Sequence, residues 1–224
     1  MTRVALSWSG GKDSALALHV LLQDPDVEVS CLMTSVTRDH ERVSVHGVRR
    51  ELLREQARCI GLPLFEIGLD SSCTNDDYEA AFLGVLAEVH RRDRSTTAVA
   101  FGDLFLEDVR AYRERLLAGT GLVPLFPVWG IDTSVIAQRV IDDGFTARLV
   151  CVDCTQLDAS FSGMSYDAAL LAQLPADVDP CGERGEFHTF VSDGPMFRAP
   201  VLYRVGRQVM RDERFMFCDL EPCA

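Results

Sequence analysis

Residues 7–14 read Ser-Trp-Ser-Gly-Gly-Lys-Asp-Ser, and they are the stretch whose types and spacing best suit phosphate chemistry. Gly10 and Gly11 let the backbone bend tightly and come close to a ligand. A helix starting just beyond them points its first amide N–H groups into the turn. Ser9 and Ser14 can donate hydroxyl hydrogen bonds, and Lys12 supplies a mobile positive charge. Lys12 is the sole lysine beside 21 arginines. These are the parts a pyrophosphate needs, so Ser7, Ser9, Gly10, Gly11, Lys12, Asp13 and Ser14 form the candidate nucleotide-phosphate set. The competing reading is an ordinary strand–helix turn with an exposed lysine. The spacing is neither G-x-x-x-x-G-K-[ST] nor G-x-G-x-x-G.

Other residues can serve the same site. Gly102-Asp103 ends an apolar run where open parallel sheets place ligand loops, and the Asp103 carboxylate can hold Mg²⁺ or a water on the phosphates, or simply cap a helix. Asp13 can cap the first helix or orient Lys12 and a metal. Arg110 and Glu114 are four apart, the spacing of a helical ion pair. Glu183, Glu186 and His188 crowd a glycine-rich turn. In an extended segment Glu186 and His188 share a face, where a carboxylate beside an imidazole can bind an amine or take its proton. The alternative is a solvent-facing turn. His46 lies in a polar loop that can close over a ligand, and Trp129 reads as interdomain packing. Cys151-x-x-Cys154 lacks an obvious fourth ligand and reads as buried thiol rather than zinc or a redox pair.

The elements that must position these residues alternate. Strands are expected at 3–8, 27–36, 64–67 and 97–101, and helices at 13–22, 48–60, 76–90 and 107–117, the pattern of a parallel sheet covered on both faces. The rhythm changes near 124–129. A helix at 133–142, a strand at 145–152, a helix at 166–174 and strands at 186–192, 200–206 and 213–218 follow. This places a domain boundary near residue 130.

The 224 residues suffice for a full core without metals or disulfides, and a folded monomer of 24.8 kDa should expose roughly 10,000 Å². Net charge is −12, with no basic stripe, so a large nucleic-acid interface is not expected. Eight scattered cysteines and the lack of an 18-residue apolar run or signal-peptide core point to a soluble cytoplasmic protein without disulfides. A homo-oligomer is left open.

Ser9-Gly10-Gly11-Lys12-Asp13-Ser14 resembles the signature of the PP-loop ATP pyrophosphatases, which split ATP between its α and β phosphates. More narrowly, the chain is similar to the diphthine–ammonia ligase family. That resemblance rests on His46-Gly47 ahead of Gly61-Leu62-Pro63-Leu64, Gly102-Asp103 with Arg110 and Glu114, Pro127-Val128-Trp129, and the segment from Asp179-Pro180-Cys181-Gly182 to His188-Thr189. It covers nearly the whole chain. Two segments depart: Glu183-Arg184-Gly185-Glu186 stands where the family usually has Glu-Asn-Gly-Glu, and residues 157–164 lack the usual Leu-Gly-Arg.

The resemblance implies an α/β fold with an open, mainly parallel five-stranded, Rossmann-like sheet over residues 1–130 as the ATP-binding domain, and a smaller α/β acceptor domain over 131–224. It implies ATP and Mg²⁺, the metal being held through the ATP by Asp13 and Asp103. A carboxylate-bearing acceptor is activated as an acyl-adenylate, and ammonia or another amine then displaces AMP. Lys12, Asp103, Glu186 and His188 are the implied catalytic residues. His46, Arg110, Glu114, Glu183, Arg184 and Glu186 would meet the acceptor, and Gly102 the nucleotide. The family's own acceptor is diphthine on elongation factor 2. A PP-loop tRNA-modifying enzyme and a non-catalytic nucleotide sensor are the alternatives.

Overall fold

The computed structural model describes residues 1–43 and 47–223. Val4 and Leu6 point to one face of the first strand and Ala5 to the other, and this alternation organises the first half of the chain. The strand, β1 (Thr2–Ser7), runs into helix α1 (Lys12–Gln23), followed by β2 (Val27–Thr37), the two-residue β3 (Arg42–Val43), α2 (Arg50–Ile60), β4 (Leu64–Leu69), α3 (Asn75–Arg92), β5 (Thr96–Ala100), α4 (Glu107–Leu117) and β6 (Val123–Leu125). Five of these strands are parallel, in the order β4-β2-β1-β5-β6, and β3 adds an antiparallel pairing at Val36–Thr37.

Helices α1 and α2 bury Leu16, Leu18, Leu52 and Leu53 on the Val4/Leu6 face, while α3 and α4 bury Phe82, Leu86, Leu116 and Leu117 on the Ala5 face. The fold is therefore the expected α/β class with a mainly parallel sheet. Strand β6 escapes the sequence reading because it is three residues long and contains Pro124, which only an edge strand tolerates.

The second half holds α5 (Thr133–Asp142), β7 (Thr146–Asp153), α6 (Ala168–Leu171), β8 (Phe187–Asp193), β9 (Tyr203–Arg211) and β10 (Phe215–Pro222). Its four strands form a wholly antiparallel sheet in the order β8-β7-β10-β9. The helix expected over 166–174 is shorter, because the Tyr166 amide donates to the Ala147 carbonyl at 2.8 Å in extended backbone and Asp167 caps the turn that follows. Phe145, Leu149, Phe187 and Phe190 join the core that also contains Val4, Leu16 and Leu52, so both sheets close over α1. The described chain exposes 10642 Å², close to the value expected for its mass. Among the described residues no helix is long and apolar enough to cross a membrane.

Because the two sheets share that core, Leu149→Ala should lower the unfolding free energy by about 2–5 kcal/mol. It should also move the near-ultraviolet signal of Trp8, in the other sheet's core, through the same urea transition as the far-ultraviolet signal. Two separated transitions would show that the sheets unfold independently.

Candidate active site

The chain moves from β1 to β2 and β4 on one side, then returns to place β5 and β6 on the other. The carboxyl ends of β1 and β5 therefore part at the point where the order reverses, the usual place for a ligand crevice in an open parallel sheet. A cavity of about 760 Å³ opens there. Of the residues singled out from sequence, Ser7, Ser9, Lys12, Asp13, Ser14, Gly102, Asp103, Glu183 and His188 line it. His46 lies outside the described residues. Gly10, Gly11, Arg110, Glu114, Arg184 and Glu186 are not on its walls.

Gly10 acts from behind, while the Gly11 amide donates to Ser9 Oγ at 3.2 Å and the Gly11 carbonyl accepts from Ser14 Oγ at 2.9 Å. Gly10 has φ +79°, and a Cβ there would sit 2.7 Å from Gln56 Oε1. The Gly10 carbonyl accepts hydrogen bonds from the Val191 amide at 2.9 Å and from Gln56 Nε2 at 3.0 Å. Gln56 Nε2 also donates to the Val191 carbonyl at 2.6 Å, and Gln56 Oε1 accepts from the Trp8 indole at 2.9 Å. One fully buried amide thus ties the glycine turn to α2 and β8. The sequence carries a signal for it, since Gln56 is polar on the face of α2 that buries Leu52, Leu53, Ala57 and Ile60. Ser9 and Ser14 hydroxyls stand 3.1 Å apart on the cavity wall. Gly102 lets the segment after β5 press against the start of α1, where a Cβ would lie 2.9 Å from the Ser14 amide nitrogen.

Lys12 is not the mobile cation expected. It is 2% exposed, and its Nζ donates to both Asp13 carboxylate oxygens at 2.9 Å and to the Cys181 carbonyl, 5.6 Å from the ring centres of Tyr166 and Phe187. Burial opposes the charge, yet Asp13 holds the ammonium above the ordinary lysine pKa. Asp13 is itself pushed up by burial against the pull of Lys12. Among the described residues the cavity's other guanidinium or ammonium, Arg113, is attached less tightly: it reaches Asp103 Oδ2 at 3.3 Å and the Tyr78 hydroxyl at 3.4 Å, with its guanidinium 5.0 Å from the Phe101 ring centre. Sequence reading missed Arg113 and favoured Arg110, one turn away. Arg110 pairs with Glu114 at 2.9 Å and lies over Phe126 and Trp129, which makes that pair a surface brace and Trp129 its packing partner.

The 179–189 segment also differs from expectation. Glu186 is 2% exposed and its two oxygens accept from the Asp179 and Arg184 amides at 3.0 Å each. Its carboxylate shapes the turn from inside, so it does not stand beside His188 on the cavity face. Arg184 is exposed over Phe105. The carboxylate that reaches the cavity is Glu183, whose Oε1 accepts from the Leu104 amide at 2.8 Å. Burial, aided by Asp13 and Asp103, pushes its pKa up to about 7 against the Leu104 amide and Lys12. Cys151 is buried and pushed up to about 12 by that burial, as an unreactive thiol would be. Among the described residues no three His, Cys, Asp or Glu side chains assemble into a metal site.

A cavity lined by Ser9 and Ser14 at the switch point of a parallel sheet, and roofed by residues of a second, antiparallel sheet, defines an α/β protein with a cleft between its two sheets. Family models place it further: residues 2–124 match the diphthamide synthase N-terminal domain and 132–218 the diphthamide synthase C-terminal domain. The chain belongs to the diphthamide synthase family. It is 26% identical over 210 residues to a diphthine–ammonia ligase of Schizosaccharomyces pombe, covering 87% of this chain and 35% of that protein. Against the Saccharomyces cerevisiae diphthine–ammonia ligase it is 26% identical over 224 residues, covering 85% and 33%. The zebrafish (Danio rerio) diphthine–ammonia ligase is 24% identical over 171 residues, covering 70% and 67%. The chain thus spans about a third of the length of the two yeast relatives. Among solved structures, the U34-tRNA thiolase NcsA of Methanococcus maripaludis with its [4Fe-4S] cluster aligns with a TM-score of 0.37 and 19% identity, over 62% of this chain and 56% of that one.

Two outcomes test the geometry. Gln56→Leu should cost at least the roughly 1–3 kcal/mol of one orphaned donor, the Trp8 indole N–H, in urea unfolding; a loss below half a kilocalorie would show that the knot is dispensable. Glu183 binds its proton more tightly folded than unfolded. Its contribution to stability is therefore full below about pH 4.5 and is lost as pH rises through about 7. Glu183→Gln should flatten the fall in stability between pH 5 and 7.5, and an unchanged slope would mean that Glu183 titrates normally.

Proposed function

We propose that the chain is an ATP-dependent ligase that joins an amine, ammonia in the simplest case, to a carboxylate with release of AMP and pyrophosphate. The observation that supports this reading is the convergence of Ser9, Ser14, Asp103, Arg113 and Glu183 on one cavity at the end of β1 and β5. Residues 1–130 then serve as the nucleotide domain and 131–224 as the acceptor domain.

A free carboxylate is a poor acceptor for ammonia because its leaving group would be oxide. In the proposed sequence the acceptor carboxylate oxygen attacks the α-phosphorus of ATP, the bridging P–O bond breaks, and pyrophosphate departs into the Ser9–Ser14 turn. Hydroxyls of Ser9 and Ser14 and the N-terminus of α1 hold its charge. Arg113 can exchange its two long hydrogen bonds for phosphate oxygens without leaving its aromatic bed. Ammonia then attacks the acyl carbon and gives up one N–H proton to the phosphate of the departing AMP, which leaves with the bonding pair. Ammonium must first lose a proton, and Glu183, poised near neutrality, is placed to take it. His188 lines the same cavity as a second polar contact for the acceptor. Glu186 supports this chemistry by holding the turn that presents Glu183, a positioning role.

Asp13 and Asp103 share the cavity but are each paired with a cation, to Lys12 and Arg113. They fit a Mg²⁺ that arrives on the nucleotide and completes its shell with phosphate oxygens rather than a preassembled metal centre. When bound, the ion would neutralise phosphate charge.

Calorimetric titration of Mg-ATP is the direct test. Wild type should bind, and the Ser9→Ala/Ser14→Ala double variant should bind at least about tenfold more weakly, the equivalent of one lost charge-assisted hydrogen bond. Arg113→Ala should retain binding better than it retains AMP release. Absence of Mg-ATP binding by folded wild type would overturn the reading.

A further inference from the structure

A second cavity, of about 240 Å³, lies behind the cleft, where the loop around β3 meets the outer half of the antiparallel sheet. Val43 lines the main cleft, whereas its neighbour Arg42 lines the second cavity, as alternation along a strand requires. Arg49, at the start of α2, contributes a second guanidinium, and Arg207 and Arg211 of β9 contribute two more. Phe217 and Val209, paired across β10 and β9, supply an apolar floor. In a chain of net charge −12, four arginines here face two carboxylates, Asp219 and Glu221.

The cluster is organised. Asp219 accepts from Arg42 Nη1 at 2.9 Å and from Arg49 Nη2 at 2.6 Å and Nε at 3.2 Å, and these two arginines hold its carboxyl below the usual range against burial. Arg42 Nη1 also donates to the Gly47 carbonyl at 2.6 Å. Two guanidiniums are therefore fixed by one carboxylate, which leaves further N–H donors on each. Arg211 rests over the Phe217 ring at 5.1 Å, and Arg207 lies two residues before Val209 on the same face of β9. A cation fixed by an acid on one wall and by an aromatic ring on the other is the arrangement that receives a tetrahedral oxyanion through several forks at once.

We propose that this cavity binds a phosphate group in its dianionic form. The excess of two positive charges on its walls matches a dianion and leaves a monoanionic carboxylate undercompensated. Its volume falls below the roughly 300–1,000 Å³ of pockets that enclose drug-sized ligands, so it accepts a phosphate on a small substituent and not a whole nucleotide. The site stands apart from the nucleotide cleft and does not depend on the reading of that cleft.

The test is a calorimetric and ³¹P-NMR titration of inorganic phosphate at constant ionic strength, with and without a non-hydrolysable ATP analogue, for wild type and Arg207→Ala/Arg211→Ala. Both substituted side chains are exposed on a strand at the edge of the sheet, and circular dichroism will verify the fold. Wild type should bind phosphate saturably with the analogue present, the double variant about tenfold or more weakly, and equimolar acetate should not displace it. Equal affinity in the two proteins, absence of saturable binding by wild type, or displacement by acetate would overturn the proposal. Retention of Mg-ATP binding by the double variant would support the separation of the sites. Glycerol phosphate in place of inorganic phosphate will show whether the site prefers an ester: binding as tight as phosphate supports a phosphorylated small molecule, and failure of both probes removes the site.

Discussion

The ammonium of Lys12 is the constraint around which the two halves of the chain are built. A buried positive charge is strongly unfavourable unless paired and hydrogen-bonded, and Lys12 is almost entirely removed from solvent. Its partners come from different parts of the chain: the adjacent Asp13, the Cys181 carbonyl and the rings of Tyr166 and Phe187. The Lys12 amide in turn donates to Thr189 Oγ1 at 3.0 Å. Satisfying one side chain therefore requires the 179–189 segment to lie across the glycine turn. The Tyr166 hydroxyl completes the arrangement by donating to the Pro180 carbonyl at 2.7 Å. The same contacts that neutralise the lysine close the roof of the cleft.

The second consequence concerns order in the cleft before any ligand enters. Gln56 clamps Trp8, Gly10 and Val191, and Asp179 and Glu186 clamp the turn that carries Glu183. A polar network of this kind is stable only when every member is satisfied. In the proposed ligation its value would be positional, because groups aimed at developing phosphate charge help only if they do not have to reorganise during the reaction. Arg113 and Glu183 are charged groups of the cleft held less tightly than Lys12. One has long bonds that can be exchanged, and the other is held near neutrality by burial beside Asp13 and Asp103.

Much of this was legible in the sequence, with a pattern to what was not. The strand–turn–helix at Ser7–Ser14 could be read because glycine, serine and a lone lysine in that order have few purely structural uses. The parallel sheet could be read because periodicities of two and near four alternate along the first half. Strand β6 could not, since three residues containing Pro124 carry no periodic signal. Glu186 and Glu183 are the same residue type three positions apart. Which one faces the cavity depends on the bend through Gly185, φ +88°, and Glu186, which leaves Glu186 outside the extended strand that begins at Phe187. Arg110 and Arg113 present the same problem on α4, where the rotation of the helix against Phe101 and Phe126 decides which guanidinium enters the cleft.

By itself the sequence determined most of the elements and their order, the short β3 and β6 apart, along with the glycine turn and the small set of residue types available for phosphate and amine chemistry. These are local properties, set by side-chain periodicity, backbone freedom and spacing. Only the tertiary structure decided that Lys12 is buried and bonded, that Arg113 rather than Arg110 lines the cavity, that Glu183 rather than Glu186 meets it, and that four arginines from β3, the residue before α2, and β9 converge on a second one. Each of those outcomes depends on which distant groups share a low-dielectric space and must satisfy one another's charge and hydrogen bonds. That condition is imposed by packing two sheets on one helix, and no single segment contains it.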